Sequence, residues 1–316
     1  MTGAPSAEFG TGLLRTTVRG TPQGWVWSRR PGPDAPAPFA DSYPPLTRWM
    51  LGRSAGGVRW VVGERDGQGG RIYTAPSALS AALLLLAEGP GPRQPALAAL
   101  ADALAGVGGL LAELHGVPTP LRSAATGPPR ALLRLHNWLT GVSSTPGRAA
   151  LRTAVGVRRY RLLTDTCAAA LAPSTDHVLS HGALSLGSLV LGPVNGAAVF
   201  VGEDLGIAPR AFDLAWPVGE LSEFGLKPET LRTLVDALSR GYGKPAPLDG
   251  VWPALRVAVH THDTIAYRPW PVGRAVACFG PLLRQLLKTP RPGPGHAGHG
   301  DASRGGHASR REPECA

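Results

Sequence analysis

His177-Val-Leu-Ser-His181-Gly182-Ala183-Leu-Ser185-Leu-Gly187-Ser188-Leu-Val-Leu191 runs through a turn at Asn195-Gly196 into Val199-Phe-Val201-Gly202-Glu203-Asp204-Leu-Gly206, and then into Pro209-Arg210-Ala-Phe212-Asp213-Leu-Ala-Trp216. Apolar runs at 189–191 and 197–201 flank the Asn-Gly pair, whose residues tolerate the positive φ of a tight hairpin. A strand thus delivers a loop holding His181. A hairpin follows, then a second loop carrying Glu203 and Asp204, and Asp213 stands where a helix begins. Two loops presented by one hairpin are the arrangement on which the fold turns.

This layout resembles the catalytic segment of the aminoglycoside phosphotransferase-like kinases. Their pattern is His-Gly-Asp-x-x-x-x-Asn, a hairpin, Asp-x-Glu, and Asp-Leu-Ala. His181-Gly182, Gly187, the hairpin spacing, Pro209-Arg210 and Asp213-Leu-Ala match it. The resemblance implies a bilobal, kinase-like α+β fold, with a small β-containing N-lobe and a mainly helical C-lobe. The chemistry departs from the pattern. The catalytic Asp of the family falls on Ala183, its magnesium-binding Asn on Ser188, and its second magnesium-binding Asp on Val201, or on Gly202 with a slip of one. Phosphoryl transfer needs a carboxylate to orient the hydroxyl and oxygens to hold the metal on the phosphates. Ala183 and Val201 supply neither, so the expectation is a pseudokinase without cofactor or metal. Glu203 and Asp204 are the displaced acids from which a rewired metal site would have to be built.

Composition supports a core and a basic surface. The 316 residues are 43% hydrophobic and carry a net charge of +10. The last stretch, 289–316, contributes four arginines against three acids, so the body holds nearly all of the excess. No acid falls between Glu113 and Asp165, while Arg122, Arg130, Arg134, Arg148, Arg152, Arg158, Arg159 and Arg161 do. Arg158, Arg159 and Arg161 precede the His181 loop and are the candidates for holding a peptide or anion. Nucleic acid is not the expected partner, because these arginines are not interleaved with stacking aromatics. Lysine is scarce: Lys227, Lys244 and Lys288 are the only three. The N-lobe therefore lacks the lysine that anchors nucleotide phosphates in the family, and Arg71 is a poor replacement for a compact ammonium. No charged start followed by an apolar core marks a signal peptide, and the longest apolar run, 81–87, is too short to span a membrane. A cytoplasmic, soluble protein is expected. Cys167 reads as a buried core thiol.

Along the chain, 1–10 read as a flexible N-terminus, 11–90 as the N-lobe, 91–288 as the C-lobe and 289–316 as a disordered, Gly-, Pro- and His-rich tail. Strands are expected at 13–19 and 25–29, then a proline-rich loop over 30–46. A hairpin of 58–64 with 71–74 should turn at Asp66-Gly67-Gln68-Gly69-Gly70. Helices are expected at 78–88 (capped by Ser77), 96–115, 129–139, 148–171, 229–240 and 274–288, the last interrupted at Gly280-Pro281. The segments 221–225 and 244–270 read as loop. His260-Thr-His262 on a strand would place two imidazoles on one face, although no third metal ligand is spaced to join them. His115 reads as structural.

In the related kinases the histidine matching His181 ties its loop to the Asp matching Asp213. The architectural role is therefore one reading of His181. The other is a general base or acid in the vacated cleft, for which an imidazole pKa of about 6.5 is suited. The chain is similar to the phosphotransferase-like proteins of thioamitide and lanthipeptide biosynthesis, which act on ribosomally made precursor peptides alongside partner enzymes. That resemblance implies help with dehydration or with closing a thioether (aminovinyl-cysteine) ring in antibiotic biosynthesis. A non-catalytic scaffold for a partner enzyme, and an ATP-dependent phosphotransferase with a rewired metal site, are the alternatives.

Overall fold

A computed structural model describes residues 7–41, 43–122, 127–192, 196–243, 250–268 and 270–288. The turn residue Asn195 and the tail expected over 289–316 lie outside them. The N-terminal part is built from β1 (Ala7–Gly10), β2 (Leu14–Thr21), β3 (Gly24–Pro31), α1 (Pro44–Met50), β4 (Ser54–Ala55), β5 (Val58–Val62), β6 (Glu64–Arg65) and β7 (Arg71–Ala75). The first sheet has the order β1-β2-β3-β7-β6. Alternation decides its two faces. Val18, Trp27, Tyr73 and Ala75 point inward and are buried, while Arg15, Arg19 and Arg30 point outward and are exposed. Residues 7–10, expected to be flexible, pair with β2.

The rest is mainly helical: α2 (Ala81–Glu88), α3 (Gln94–His115), α4 (Thr119–Arg122), α5 (Arg130–Thr140), α6 (Arg148–Val155) and α7 (Val157–Leu171) precede the deciding stretch. That stretch forms β8 (Val178–Ser180), β9 (Leu189–Leu191), β10 (Ala197–Val201) and β11 (Gly206–Ala208), and α8 (Arg210–Glu223) follows it. The chain then makes α9 (Pro228–Tyr242), α10 (Val251–Tyr267) and α11 (Val272–Leu286). Strands β9 and β10 pair antiparallel, and β8 pairs with β11. The bilobal kinase-like α+β fold expected from the sequence is the fold observed.

Several elements differ from expectation, each for a local reason. The segment 58–64 does not pair with 71–74 as one hairpin. The chain breaks at Gly63, so only β6 pairs with β7, and β5 instead runs parallel to β10 from Val58↔Ala197 to Val62↔Val201. Helix α2 is capped by Ser80, whose side chain accepts from Leu83 N–H, rather than by Ser77. The helix expected over 148–171 splits at Gly156, where φ is 86°. Helix α8 runs through Pro217 to Glu223, so 221–225 is mostly helix. Helix α10 replaces most of the loop expected over 244–270. Its Pro253 lies in the first turn, where no intrahelical N–H is needed. Helix α11 continues through Gly280-Pro281.

The β9-β10 hairpin is a middle layer, and all five residues of β10 are buried. Phe200 faces the first sheet, stacked on Tyr73 at 4.3 Å and edge-on to Trp27. Ala197, Val199 and Val201 face the core that includes α3. By length and composition α3 would also cross a bilayer, the one such helix among the described residues, but Leu100, Leu104, Leu110, Leu111 and Leu114 are buried inside the protein.

Helices α3 and α9 touch backbone to backbone. A Cβ added at Gly241 would overlap the Ala105 carbonyl, and one at Gly108 would overlap the Leu238 carbonyl. Gly241→Ala is expected to cost about 1–3 kcal/mol by forcing the helices apart. Denaturant unfolding of the variant checks this, and an unchanged midpoint would show that the helices tolerate the spacing.

Candidate functional site

Asp213, in the first turn of α8, is the anchor of the site. Its carboxylate accepts from Ser180 Oγ at 2.7 Å, from the His181 backbone N–H at 2.7 Å and from the Gly182 N–H at 3.1 Å. His115 Nε2 donates to it at 3.1 Å, and the other ring nitrogen of His115 meets the Tyr242 hydroxyl at 2.9 Å. Burial pushes the Asp213 carboxyl up, but the His115 hydrogen bond and charge, helped by His181 and Ser180, hold it below the usual carboxylate range. His115 is therefore structural. Gly182 sits at φ 88°, and a side chain there would strike the Asp204 carbonyl, so the loop requires glycine.

The His181 ring does not touch Asp213; only its backbone does. Nε2 donates to the Phe200 carbonyl at 2.8 Å, and Nδ1 accepts from the Ala183 N–H at 3.4 Å. Burial lowers the imidazole pKa despite Asp213, Glu203 and Asp204 nearby. Both nitrogens are engaged in holding the loop against β10. In this arrangement both ring nitrogens have partners within the chain, and His181 is not among the residues that line the cleft between the first sheet, α5 and α10.

The positions set against kinase residues in sequence are held as follows. Ala183 and Ser185 line a cleft of about 200 Å³ between the first sheet, α5 and α10. Ser188 Oγ is buried and accepts from Arg29 Nη1 at 3.0 Å. The same nitrogen lies 3.1 Å from Glu203 Oε1, which also accepts from the Tyr73 hydroxyl at 2.8 Å. Val201 is turned into the core, and a Cβ on Gly202 would lie 3.5 Å from the Arg71 guanidinium. Arg71 itself is buried, donating to the carbonyls of Gly63 and Ala40. Asp204 Oδ1 accepts from Arg130 Nε at 2.7 Å and from the Arg130 N–H at 3.1 Å. Burial nevertheless raises the Asp204 carboxyl above its ordinary value, with Arg130 opposing.

A magnesium nucleotide does not fit these residues. The oxygens nearest the expected metal positions, on Ser188 and Glu203, already share one guanidinium of the chain itself. Asp204 is committed to Arg130. Among the described residues no group of three or more His, Cys, Asp and Glu could hold a metal ion. His260 and His262 sit on helix α10, two residues and roughly 200° apart, not on one strand face. His260 meets Glu223 at 2.6 Å and His262 meets Asp263 at 2.8 Å.

The arginines of the cleft are not those singled out in sequence. Arg158 and Arg161 are exposed on α7, and Arg159 reaches the Leu287 carbonyl near the end of α11; none of the three lines the cleft. Arg29, Arg130, Arg134 and Arg256 do. Arg134 pairs with Asp263 at 2.9 Å, and Arg256 pairs with Glu223 at 3.2 Å while lying over the Trp216 ring. One signal for Arg29 was present: it falls in the inward phase of β3 with Trp27. The proline-rich loop also contributes. Phe39 packs beside Arg130, and the Ala40 N–H donates to the Glu203 carbonyl at 2.9 Å, closing one side of the cleft. Cys167 is fully buried, and burial pushes its thiol up to about 12, as suits a core residue.

The fold is the kinase-like one shared by phosphotransferases. Solved structures with this fold bear that out. The chain is similar to a choline/ethanolamine kinase family protein from Mesorhizobium loti, with 16% identity, 92% of this chain and 90% of that one covered, and a TM-score of 0.55. It is similar to APH(2")-IIia, solved with GDP and kanamycin, at 13% identity, 90% and 94% coverage and a TM-score of 0.54. Amicoumacin kinase hAmiN, solved with AMP-PNP, Ca2+ and Ami, aligns at 15% identity, 89% and 88% coverage and a TM-score of 0.53. No protein-family model and no curated protein sequence matches the chain.

Proposed function

We propose that this chain is a catalytically degenerate phosphotransferase-fold protein that acts on a ribosomally synthesised precursor peptide. Working with partner modifying enzymes, it would assist dehydration or thioether ring closure. The observation that carries the loss of kinase chemistry is Arg29, which lies between Ser188 and Glu203 where the kinase layout calls for a metal. The floor beside it is apolar at Ala183, so no group there can orient a hydroxyl for phosphoryl transfer. The peptide assignment draws its support from the family resemblance and from the basic balance of the chain. The contribution to ring closure would come from binding and orienting the reacting ends, because His181 is occupied.

Isothermal titration with ATP, with and without magnesium, tests this reading. No magnesium-dependent heat is expected. Tight magnesium-dependent binding would overturn the reading and return Glu203 and Asp204 to the role of metal ligands. A scaffold role for a partner enzyme is favoured by the same occupied His181. Under it, His181→Phe would leave complex formation with the partner intact whenever the loop still folds, as measured by co-purification.

A further inference from the structure

The outer face of the first sheet carries a feature that the cleft does not use. Strand register places Arg15 of β2 directly opposite Arg30 of β3, and Thr17 opposite Ser28. Arg19 lies four residues along β2, about 13 Å from Arg15. These side chains line a concavity of about 560 Å³, floored in part by Val26 and Ile72. Like charges directly opposite on a sheet destabilise it. Arg15 and Arg19 have no ion pair among the described residues, and Arg30 has one bond, from Nε to Asp66 at 2.7 Å. One acid, Glu8, lines the same hollow.

We propose that this face is a docking surface for an acidic peptide segment lying extended across β2 and β3. Arginines at both ends of a two-strand patch match carboxylates spaced along an extended chain. The hydroxyls of Thr17 and Ser28 between them suit its backbone groups, and Val26 and Ile72 suit an intervening apolar side chain. Nucleic acid fits less well. The aromatic residues of these strands, Phe9, Trp25 and Trp27, fall in the opposite phase, so this face offers no platform for base stacking. The inference deepens the peptide reading by giving the peptide a second holding point, on the face of the sheet opposite to the one that carries Arg29 into the cleft.

The test is fluorescence anisotropy of the full chain with a labelled octapeptide of alternating glutamate and alanine. Binding is expected, weakening about tenfold or more between low and high salt as surface charges are screened. The double variant Arg15→Glu with Arg19→Glu should weaken it about tenfold or more. Its sheet should be at least as stable, since Arg15→Glu turns a like-charge pair into an opposite one, so a melting curve separates lost binding from unfolding. Arg15→Lys with Arg19→Lys should retain most of the affinity. Absence of binding, or equal binding by the double Glu variant, overturns the proposal. So does tighter binding of a labelled oligodeoxythymidylate at the same face. Because ATP titration reads the cleft and this experiment reads the sheet, failure of one reading is distinguishable from failure of the other.

Discussion

Asp213→Ala is expected to remove about 3–5 kcal/mol of stability, the largest effect of any single substitution in the site. The carboxylate is fully buried and serves the Ser180 hydroxyl, two loop N–H groups and His115. Deleting it strands the Ser180 hydroxyl, the His181 N–H and the His115 ring N–H away from water, while the Gly182 N–H keeps Ser180 Oγ; each stranded donor carries a desolvation cost of about 1–3 kcal/mol when left unpaired. Against a typical stability of about 5–15 kcal/mol, that is enough to loosen the His181 loop altogether. Guanidinium unfolding of the variant beside Ser180→Ala, expected to lose only about 1 kcal/mol, is the measurement. A loss for Asp213→Ala no larger than that control would show that the loop holds itself. The pH dependence carries the same signature. The folded carboxyl titrates below its ordinary value of 3.8, so its contribution is complete above that value and is lost as the pH falls through the lower, folded one. The native protein should lose stability on acidification below about pH 4, and Asp213→Ala should lose less over the same interval.

Arg29→Ala should cost about 3 kcal/mol and loosen the contact between the first sheet and the hairpin. The Arg29 side chain is 10% exposed and that of Glu203 17%, so breaking the pair leaves a carboxylate in a poorly solvated place. Adding Glu203→Gln to Arg29→Ala should recover part of the loss, since the stranded charge disappears. A double-mutant cycle by thermal or denaturant unfolding reads this coupling directly. Additive losses would mean that the pair is decorative. Magnesium-ATP binding is not expected to return in Arg29→Ala, because Ala183 and Val201 remain. If it did return, Arg29 would be an inhibitory plug on a working metal site.

The parts of this molecule legible in the sequence are those whose signal is local. The His181-Gly182 loop, the hairpin strands and Asp213 at the helix start are set by glycine, alternation and short-range spacing. Strands β2 and β3 and helices α3 and α5 follow from periodicity in the same way. What escaped was decided by tertiary contact. The segment 221–225 reads as loop, yet α8 runs through Pro217 to Glu223, because its turns up to Leu221 are buried on every side and packing keeps the helix continuous. The His-Thr-His run of α10 reads as β-branched and polar, yet Ala258, Thr261, His262 and Ile265 are all buried by neighbouring helices. Within the acid-free stretch between Glu113 and Asp165, the run Arg158, Arg159 and Arg161 attracts a binding role through its density of charge. Burial selected different arginines, on β3, α5 and α10. Arg29 carries no motif of its own, and its meaning comes from Ser188 and Glu203, far along the chain.

The parallel pairing of β5 with β10 has a practical consequence for taking the protein apart. The boundary near residue 90 divides the chain in sequence but cuts through a sheet, since β4 and β5 come from one side of it and β9 and β10 from the other. Cleavage there would leave the larger fragment with β10 as a bare apolar edge, a template for self-association. The smaller fragment would lose the hairpin that covers Trp27 and Tyr73. Neither piece should be well behaved alone, whereas the two expressed together should find each other and reassemble, as a split protein does.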